Sequence, residues 1–102
     1  SITAMPNGDT QLVAYGLDHV LYHNIRLANG GWQGWAQVPG FGSSTFTGSG
    51  PTIAGSKTSN SAQIITVGVD HALYHCIRNP DGTWQGWAPI EGVGTGTTFQ
   101  LG

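Results

Sequence analysis

Charged side chains are scarce in this sequence. They make up 8% of its 102 residues, with three Lys and Arg against five Asp and Glu and a formal net charge of −2 at pH 7. Nucleic-acid phosphates are bound by clustered cations, so this composition excludes a basic nucleic-acid-binding surface. It also excludes a polybasic membrane anchor. No apolar run reaches the roughly 18 residues of a spanning helix, and we expect no membrane insertion.

Cysteine is nearly absent as well. Cys76 stands alone, which excludes an internal disulfide and a Cys-based zinc site. The chain is nevertheless 38% hydrophobic with four Trp, three Tyr and three Phe, a composition unlike that of disordered segments. Seventeen Gly and five Pro argue against long helices and for many turns.

The sequence consists of two copies of one unit. A shift of 52 residues superimposes residues 18–26 on 70–78 with seven of nine positions identical, and residues 32–36 on 84–88 without a change. Without any gap, 19 of the 50 aligned positions are identical. The internal repeat is therefore the strongest signal in the sequence.

Each unit is predicted to form four short antiparallel strands. The β-branched run 63–67 is the clearest of them. Asn79-Pro80-Asp81-Gly82 is typical of a hairpin turn, with Asn29-Gly30 at the corresponding place in the first unit. A tight turn is expected over residues 68–71. The strands predicted for the second unit are 52–54, 63–67, 72–78 and 84–88.

A four-stranded unit of about 50 residues has the size of one β-propeller blade. We therefore predict an all-β fold with one blade over residues 1–50 and a second over residues 51–102. Propellers have about four to eight blades, and two blades leave apolar faces in water. We expect a closed head-to-tail homo-oligomer: three chains give six blades, four give eight, and the trimer is slightly favoured. Intact two-blade chains exclude a seven-bladed ring.

One string occurs in both units: Gly-x-Asp-x-x-Leu-Tyr-His, then Trp-x-Gly-Trp about ten residues on, then Gly. It resembles the blade of the Photorhabdus-type seven-bladed propeller lectins and related actinobacterial repeats, over nearly the whole chain. The resemblance implies a bacterial protein that binds saccharides, typically L-fucose and O-methylated sugars, in aromatic-lined pockets between adjacent blades. Two blades instead of seven point to a fragment, a designed minimal unit or a natural oligomeric variant. The matching residues are Gly16, Asp18, Leu21, Tyr22, His23, Trp32, Gly34, Trp35 and Gly40, and in the second copy Gly68, Asp70, Leu73, Tyr74, His75, Trp84, Gly86, Trp87 and Gly92.

Two Trp pairs are the first candidates for sugar contacts, because the C–H face of a sugar ring stacks on an aromatic plane and polar groups at the rim bind its hydroxyls. Trp32 and Trp35, like Trp84 and Trp87, are three residues apart, which on a regular strand puts them on opposite faces. One Trp of each pair would then face each seam between blades. Packing in the core between blades is the alternative.

His, Tyr and Arg recur at equivalent positions and are the other candidates: Tyr22 and Tyr74, His23 and His75, Arg26 and Arg78. Their rings, hydroxyls and guanidinium groups suit sugar hydroxyls. The alternatives are a buried, hydrogen-bonded His and a structural Arg. The third strand should place Tyr22, Asn24 and Arg26 on one face and Leu21, His23 and Ile25 on the other, with Cys76 at the position of Asn24.

Neither metal binding nor catalysis is expected. His19 and His23 would lie about 13 Å apart on a strand, and no Glu completes a zinc-protease pattern. Asp18 and Asp70 are expected to cap turns, Asp81-Gly82 does not fit the Asp-box of sialidases, and no nucleophile elbow is present. Cys76 is expected mid-strand, where a buried thiol is usually inert.

The sequence thus predicts a non-enzymatic, multivalent lectin without cofactor or metal, whose partners are saccharides and other copies of the chain. The alternatives are a structural or designed propeller scaffold without a ligand, and an adaptor that binds protein. The compartment stays open: secretion, with action on extracellular glycans, is compatible with a single Cys.

Overall fold

A four-stranded antiparallel sheet forms the first half of the chain. The computed structural model describes residues 1–39, 50–68 and 72–90. The first sheet has the order β1 (Ile2–Ala4), β2 (Thr10–Tyr15), β3 (Leu21–Arg26) and β4 (Ala36–Gln37). Each strand pairs with the next along the chain, so the sheet is a simple meander.

The second half repeats this architecture. Its sheet contains β5 (Thr52–Gly55), β6 (Ala62–Val67), β7 (Leu73–Arg78) and β8 (Trp84–Pro89), again in sequential antiparallel order. The all-β prediction is confirmed for the described residues, which form these two sheets and contain no helix. It follows that no helix in the described part of the chain is long and apolar enough to cross a membrane.

Local turn chemistry accounts for the hairpins. The Gly82 amide donates to the carbonyl of Asn79 at 2.9 Å, and Gly82 has φ = +90°, as the predicted turn requires. Gly30 repeats this geometry with φ = +93°. The carboxylate of Asp18 accepts from the Val20 amide at 3.0 Å, which confirms its capping role. The turn predicted at 68–71 falls largely on residues 69–71, outside the described ranges.

The first strands of the two sheets align differently from the rest of the repeat. Ile2 pairs with Leu12, and Ile53 pairs with Ile64, which is the equivalent of Leu12. The two isoleucines are therefore structural equivalents at a shift of 51 rather than 52. The ungapped alignment was wrong at this point, because the connection between β5 and β6 is one residue longer than that between β1 and β2.

The two sheets stack with opposite faces in contact. In β2 the buried residues are Gln11 and Val13, whereas in β6 they are Ala62, Ile64 and Thr66. Because side chains alternate along a strand, these residues belong to different faces of the repeated unit. The odd-numbered face of β2 thus packs against the even-numbered face of β6, in a head-to-tail rather than a two-fold arrangement.

One apolar cluster joins the sheets. Hydrogen bonds also cross between them: the Gly55 amide donates to the Thr3 hydroxyl at 3.0 Å, and the hydroxyls of Tyr15 and Thr66 lie 2.5 Å apart. Because the chain has a single Cys and no disulfide within it, burial of this apolar surface is the main interaction that holds the two sheets together. The buried members of the cluster are Met5, Val13, Leu21, Val38, Ile53, Ala62, Ile64 and Cys76.

Candidate functional site

A pocket of about 250 Å³ opens at the seam between the two sheets. The first sheet contributes His23 from β3 and the segment that leads into β4, and the second sheet contributes Arg78 and Trp84. An aromatic ring, side-chain amides and a cation thus converge from two sheets that lie far apart in sequence. The lining residues are His23, Gln33, Gly34, Trp35, Ala36, Gln37, Arg78 and Trp84.

His23 is buried at this seam, where a hydrogen bond and an aromatic contact orient its ring. Its Nε2 lies 2.8 Å from Oε1 of the buried Gln11; an amide oxygen only accepts, so the proton is on Nε2 and Nδ1 is an acceptor. Its ring stands perpendicular to that of Trp84, with centroids 5.3 Å apart. Burial, with a smaller contribution from the positive charge of Arg78, lowers the pKa of His23 to about 4. The imidazole is therefore neutral at physiological pH.

Arg78 supplies the positive charge of the pocket. Its guanidinium lies over the ring of Trp84, with Cζ 5.8 Å from the ring centroid. Burial lowers the pKa of Arg78, and the nearby Asp81 opposes this shift. The Nε atom is buried, and among the described residues it has no hydrogen-bond partner. Such a fixed, planar cation is suited to binding an oxygen-rich ligand.

Both halves of this arrangement recur in the other repeat. His75 Nε2 lies 2.9 Å from Oε1 of Gln63, as His23 does from Gln11. Arg26 lies over Trp32, with Cζ 5.1 Å from the ring centroid, as Arg78 lies over Trp84. These two copies lie on the outer faces of the stacked sheets, so in the single chain they do not meet.

The structure corrects the predicted orientation of the Trp pairs. In the second sheet Ile77 pairs with Gln85 and His75 with Ala88, which leaves Gly86 and Trp87 opposite the single residue between. This β-bulge inserts one extra residue, so Trp84 and Trp87 lie on the same face. Both pack against the apolar cluster.

The first sheet has the same irregularity. Arg26 is bridged to Trp32 and His23 is paired with Ala36, so that the three residues 33–35 before β4 lie opposite only two residues of β3. Trp32 and Trp35 are 53% and 54% exposed, whereas their counterparts in the second sheet are half-buried. The prediction that one Trp of each pair faces each seam was therefore wrong, because strand alternation is interrupted by the bulge.

Asn24 and Cys76 stabilise the bulge from inside. Oδ1 of Asn24 accepts from the Gly34 amide at 3.0 Å, and Cys76 Sγ donates to the carbonyl of Gln85 at 3.1 Å. Burial raises the pKa of the Cys76 thiol to about 11. Neither side chain lines the seam pocket, so the Asn-to-Cys difference between the repeats does not change its lining.

Two further hollows lie on the outer faces. One of about 320 Å³ is on the first sheet beside Tyr22 and Trp35. The other, of about 440 Å³, is on the second sheet beside His75 and Ile65. Three residues that line the second hollow, His75, Ala88 and Pro89, are the repeat equivalents of His23, Ala36 and Gln37, which line the seam pocket.

Four of the ten sequence-predicted site residues meet in the seam pocket, namely His23, Trp35, Arg78 and Trp84. Tyr22 and His75 line the outer hollows, and Arg26 forms a stacked pair with Trp32 at the surface. Tyr74 and Trp87 contribute to packing against the core.

Sequence reasoning missed the glutamines. Gln33 and Gln37 line the seam pocket, and Gln11 positions His23. A signal was available for two of these positions: Gln33 and Gln85 lie in the unchanged run of the repeat, and Gln11 and Gln63 are identical inside strands whose other residues differ.

Within the described ranges, no three His, Cys, Asp or Glu side chains lie close enough together to hold a metal ion. No protein-family model matches the sequence. No curated protein matches it either.

Proposed function

We propose that the chain is a saccharide-binding protein whose ligand occupies the pocket between the two sheets. The observation that carries this proposal is the convergence of Arg78 and Trp84 from one sheet on His23 and Trp35 from the other, around about 250 Å³. Small-ligand sites combine apolar walls with a few fixed polar groups. A half-exposed indole beside amides and a guanidinium offers a stacking surface and directed hydrogen bonds to hydroxyl groups.

The two four-stranded sheets are, in this proposal, blades of a β-propeller that close into a ring with further copies, most simply three chains with six blades. Support comes from the length of the repeat and from the head-to-tail stacking of the sheets. The resemblance to the Photorhabdus-type lectins points to L-fucose or an O-methylated sugar as ligand. A ring with several sites gains avidity on a glycan-bearing surface, because binding at one site raises the effective concentration at the next.

Native mass spectrometry with and without L-fucose tests both parts of the proposal. We expect a mass of three chains of 10.7 kDa each that increases by several sugars. An assembly that binds neither L-fucose nor an O-methylated sugar would instead favour the alternative, a structural propeller scaffold. A lone chain of 10.7 kDa would contradict ring closure.

A variant tests the ring of Trp35, which borders both the seam pocket and the outer hollow of the first sheet. Trp35→Ala removes an exposed ring from the pocket without opening the core, so we expect at least a tenfold weaker affinity for methyl α-L-fucoside, equivalent to about 1.4 kcal/mol. Leu17→Ala is the matched control, since this side chain is fully exposed at a turn and lines none of the pockets described. Calorimetric titration of both variants measures the difference. Unchanged affinity in Trp35→Ala would exclude this pocket.

A further inference from the structure

Each sheet has one covered and one open face, and the open faces are of opposite kinds. Ile64 is 0% exposed in the seam, whereas its neighbour Ile65 is 36% exposed on the outer face of the second sheet. In the first sheet the pattern is inverted: Val13, the equivalent of Ile65, is 1% exposed, and Leu12 is only half-buried. Inside the chain, the odd-numbered face of the first sheet covers the even-numbered face of the second sheet. The two faces left open, the even-numbered face of the first sheet and the odd-numbered face of the second, are the repeat equivalents of these two.

The open face of the second sheet carries one half of the seam pocket. His75 and Gln63 repeat the His–Gln pair at 2.9 Å, and the hollow beside them measures about 440 Å³. Inside the chain, the equivalent half is closed by Arg78 and Trp84 of the neighbouring sheet. Nothing in the described part of the same chain closes the half around His75.

The open face of the first sheet carries the other half. Arg26 stacks over Trp32 at 5.1 Å, and the indole is 53% exposed. The equivalent stacked pair of the second sheet, Arg78 over Trp84, meets His23 inside the chain. The same face also carries, toward the other end of β3, the apolar hollow of about 320 Å³ that includes Ala14, the equivalent of the buried Thr66.

We infer that the outer face of the second sheet binds the outer face of the first sheet of another copy, so that Trp32 and Arg26 of one chain close the hollow around His75 of the next. The occupant is a second copy because the chain itself contains the template for this contact: the same two faces, with the same His–Gln and Arg–Trp pairs, are already joined in the intrachain seam. Each such contact completes a second pocket from two chains. The ligand of that pocket rests on the saccharide binding proposed above, and the contact specifies which two faces meet in the proposed ring.

Two charge substitutions test which faces meet. Ile65→Glu places a carboxylate on the open face of the second sheet, and Ala14→Glu places one on the open face of the first. Both side chains are solvent-exposed in the single chain, so its fold should tolerate the change. Each variant alone is expected to sediment as single chains, with a dissociation constant raised at least 100-fold. Leu17→Glu, outside both faces, is the control and should keep the wild-type mass.

Mixing the variants distinguishes head-to-tail contact from other arrangements. A 1:1 mixture of the Ile65→Glu and Ala14→Glu chains retains one intact pair of faces, so we expect a dimer with one chain of each kind and nothing larger. Dimers of Ala14→Glu alone would mean that like faces meet and would overturn the inference. A wild-type chain that sediments at 10.7 kDa in concentrated solution would also overturn it.

Stoichiometry tests the composite pocket. With methyl α-L-fucoside as probe, we expect two sites per chain in the wild-type assembly and one in each single-chain variant. One site per chain in an assembled wild type would exclude the composite pocket. Failure of all forms to bind the fucoside would contradict the proposed function, while the sedimentation masses would still decide whether the copies meet as inferred.

Discussion

Adjacent isoleucines on β6 provide the sharpest measure of how the sheets pack. Ile64 is 0% exposed and belongs to the cluster that joins the two sheets. Its replacement by Ala removes buried methyl and methylene groups and leaves a cavity, which typically costs about 2–5 kcal/mol. Because side chains of both sheets surround Ile64, we expect the free energy of unfolding to decrease by about 3–4 kcal/mol. This is a large part of the roughly 5–15 kcal/mol that stabilise a domain of this size.

Ile65→Ala is the matched control on the same strand. Its side chain is 36% exposed and faces a hollow, so in the single chain we expect a loss of only about 1 kcal/mol. The two variants differ from the wild type by the same atoms at neighbouring positions. The difference between them therefore reports which face of β6 is covered.

Urea unfolding followed by tryptophan fluorescence measures both values by linear extrapolation. The protein should be diluted until the unfolding midpoint no longer depends on its concentration, so that only intrachain contacts count. A loss below about 1 kcal/mol for Ile64→Ala, or equal losses for both variants, would refute the stacking of the sheets. At higher protein concentration, the proposed contact between copies predicts a larger stability loss for Ile65→Ala, because this contact would bury the outer face of the second sheet.

Three further results are expected. The pKa of His23 is lowered from 6.5 to about 4, so the unfolded chain binds the proton more readily. The free energy of unfolding should be constant above pH 6.5 and fall by roughly 2 kcal/mol, discounted for partial solvent exposure, as the pH drops to 4. In His23→Gln, the free energy of unfolding measured by urea titration should no longer fall over this pH range. Gly82→Ala should cost about 1 kcal/mol in thermal unfolding because of its φ of +90°, whereas Gly86→Ala, whose added Cβ would meet nothing within 4 Å, should cost little. Cys76 is buried, with a pKa raised to about 11, so iodoacetamide at pH 8 should label it only at the rate of unfolding. Rapid labelling of the native chain, seen by mass spectrometry, would contradict its burial.

The strands and hairpins were predictable because their signals are local. The run of β-branched residues in 63–67 lies within β6, and the Asn79–Gly82 turn follows from residues that tolerate its dihedral angles. The alternation in the third strand was equally accessible. These features depend on the preferences of a few neighbouring residues rather than on contacts between sheets.

The features that escaped prediction depend on contacts between strands. The bulge opposite Cys76 arises from pairing between β7 and β8, and it reverses the face that Trp87 occupies. The extra residue between β5 and β6 could not be recognised by comparing the two repeats, because their first strands are short and share little sequence. Which face of β6 is buried could not be read from its own residues, since Gln63 and Thr66 are both polar and only Thr66 is covered.

The seam inside the chain contains one contact that the proposed seam between copies would lack. The hydroxyl of Tyr15 lies 2.5 Å from that of Thr66, but the equivalent positions across the outer faces are occupied by Val67 and Ala14. A hydrogen bond of this kind contributes about 1 kcal/mol, or roughly fivefold in an equilibrium constant. The proposed seam between copies would therefore contain the same His–Gln and Arg–Trp groups as the intrachain seam but would be weaker. In the proposed assembly, this difference favours pairing of the two sheets within one chain over insertion of a sheet from another copy, so that whole chains, rather than single sheets, would be the units of assembly.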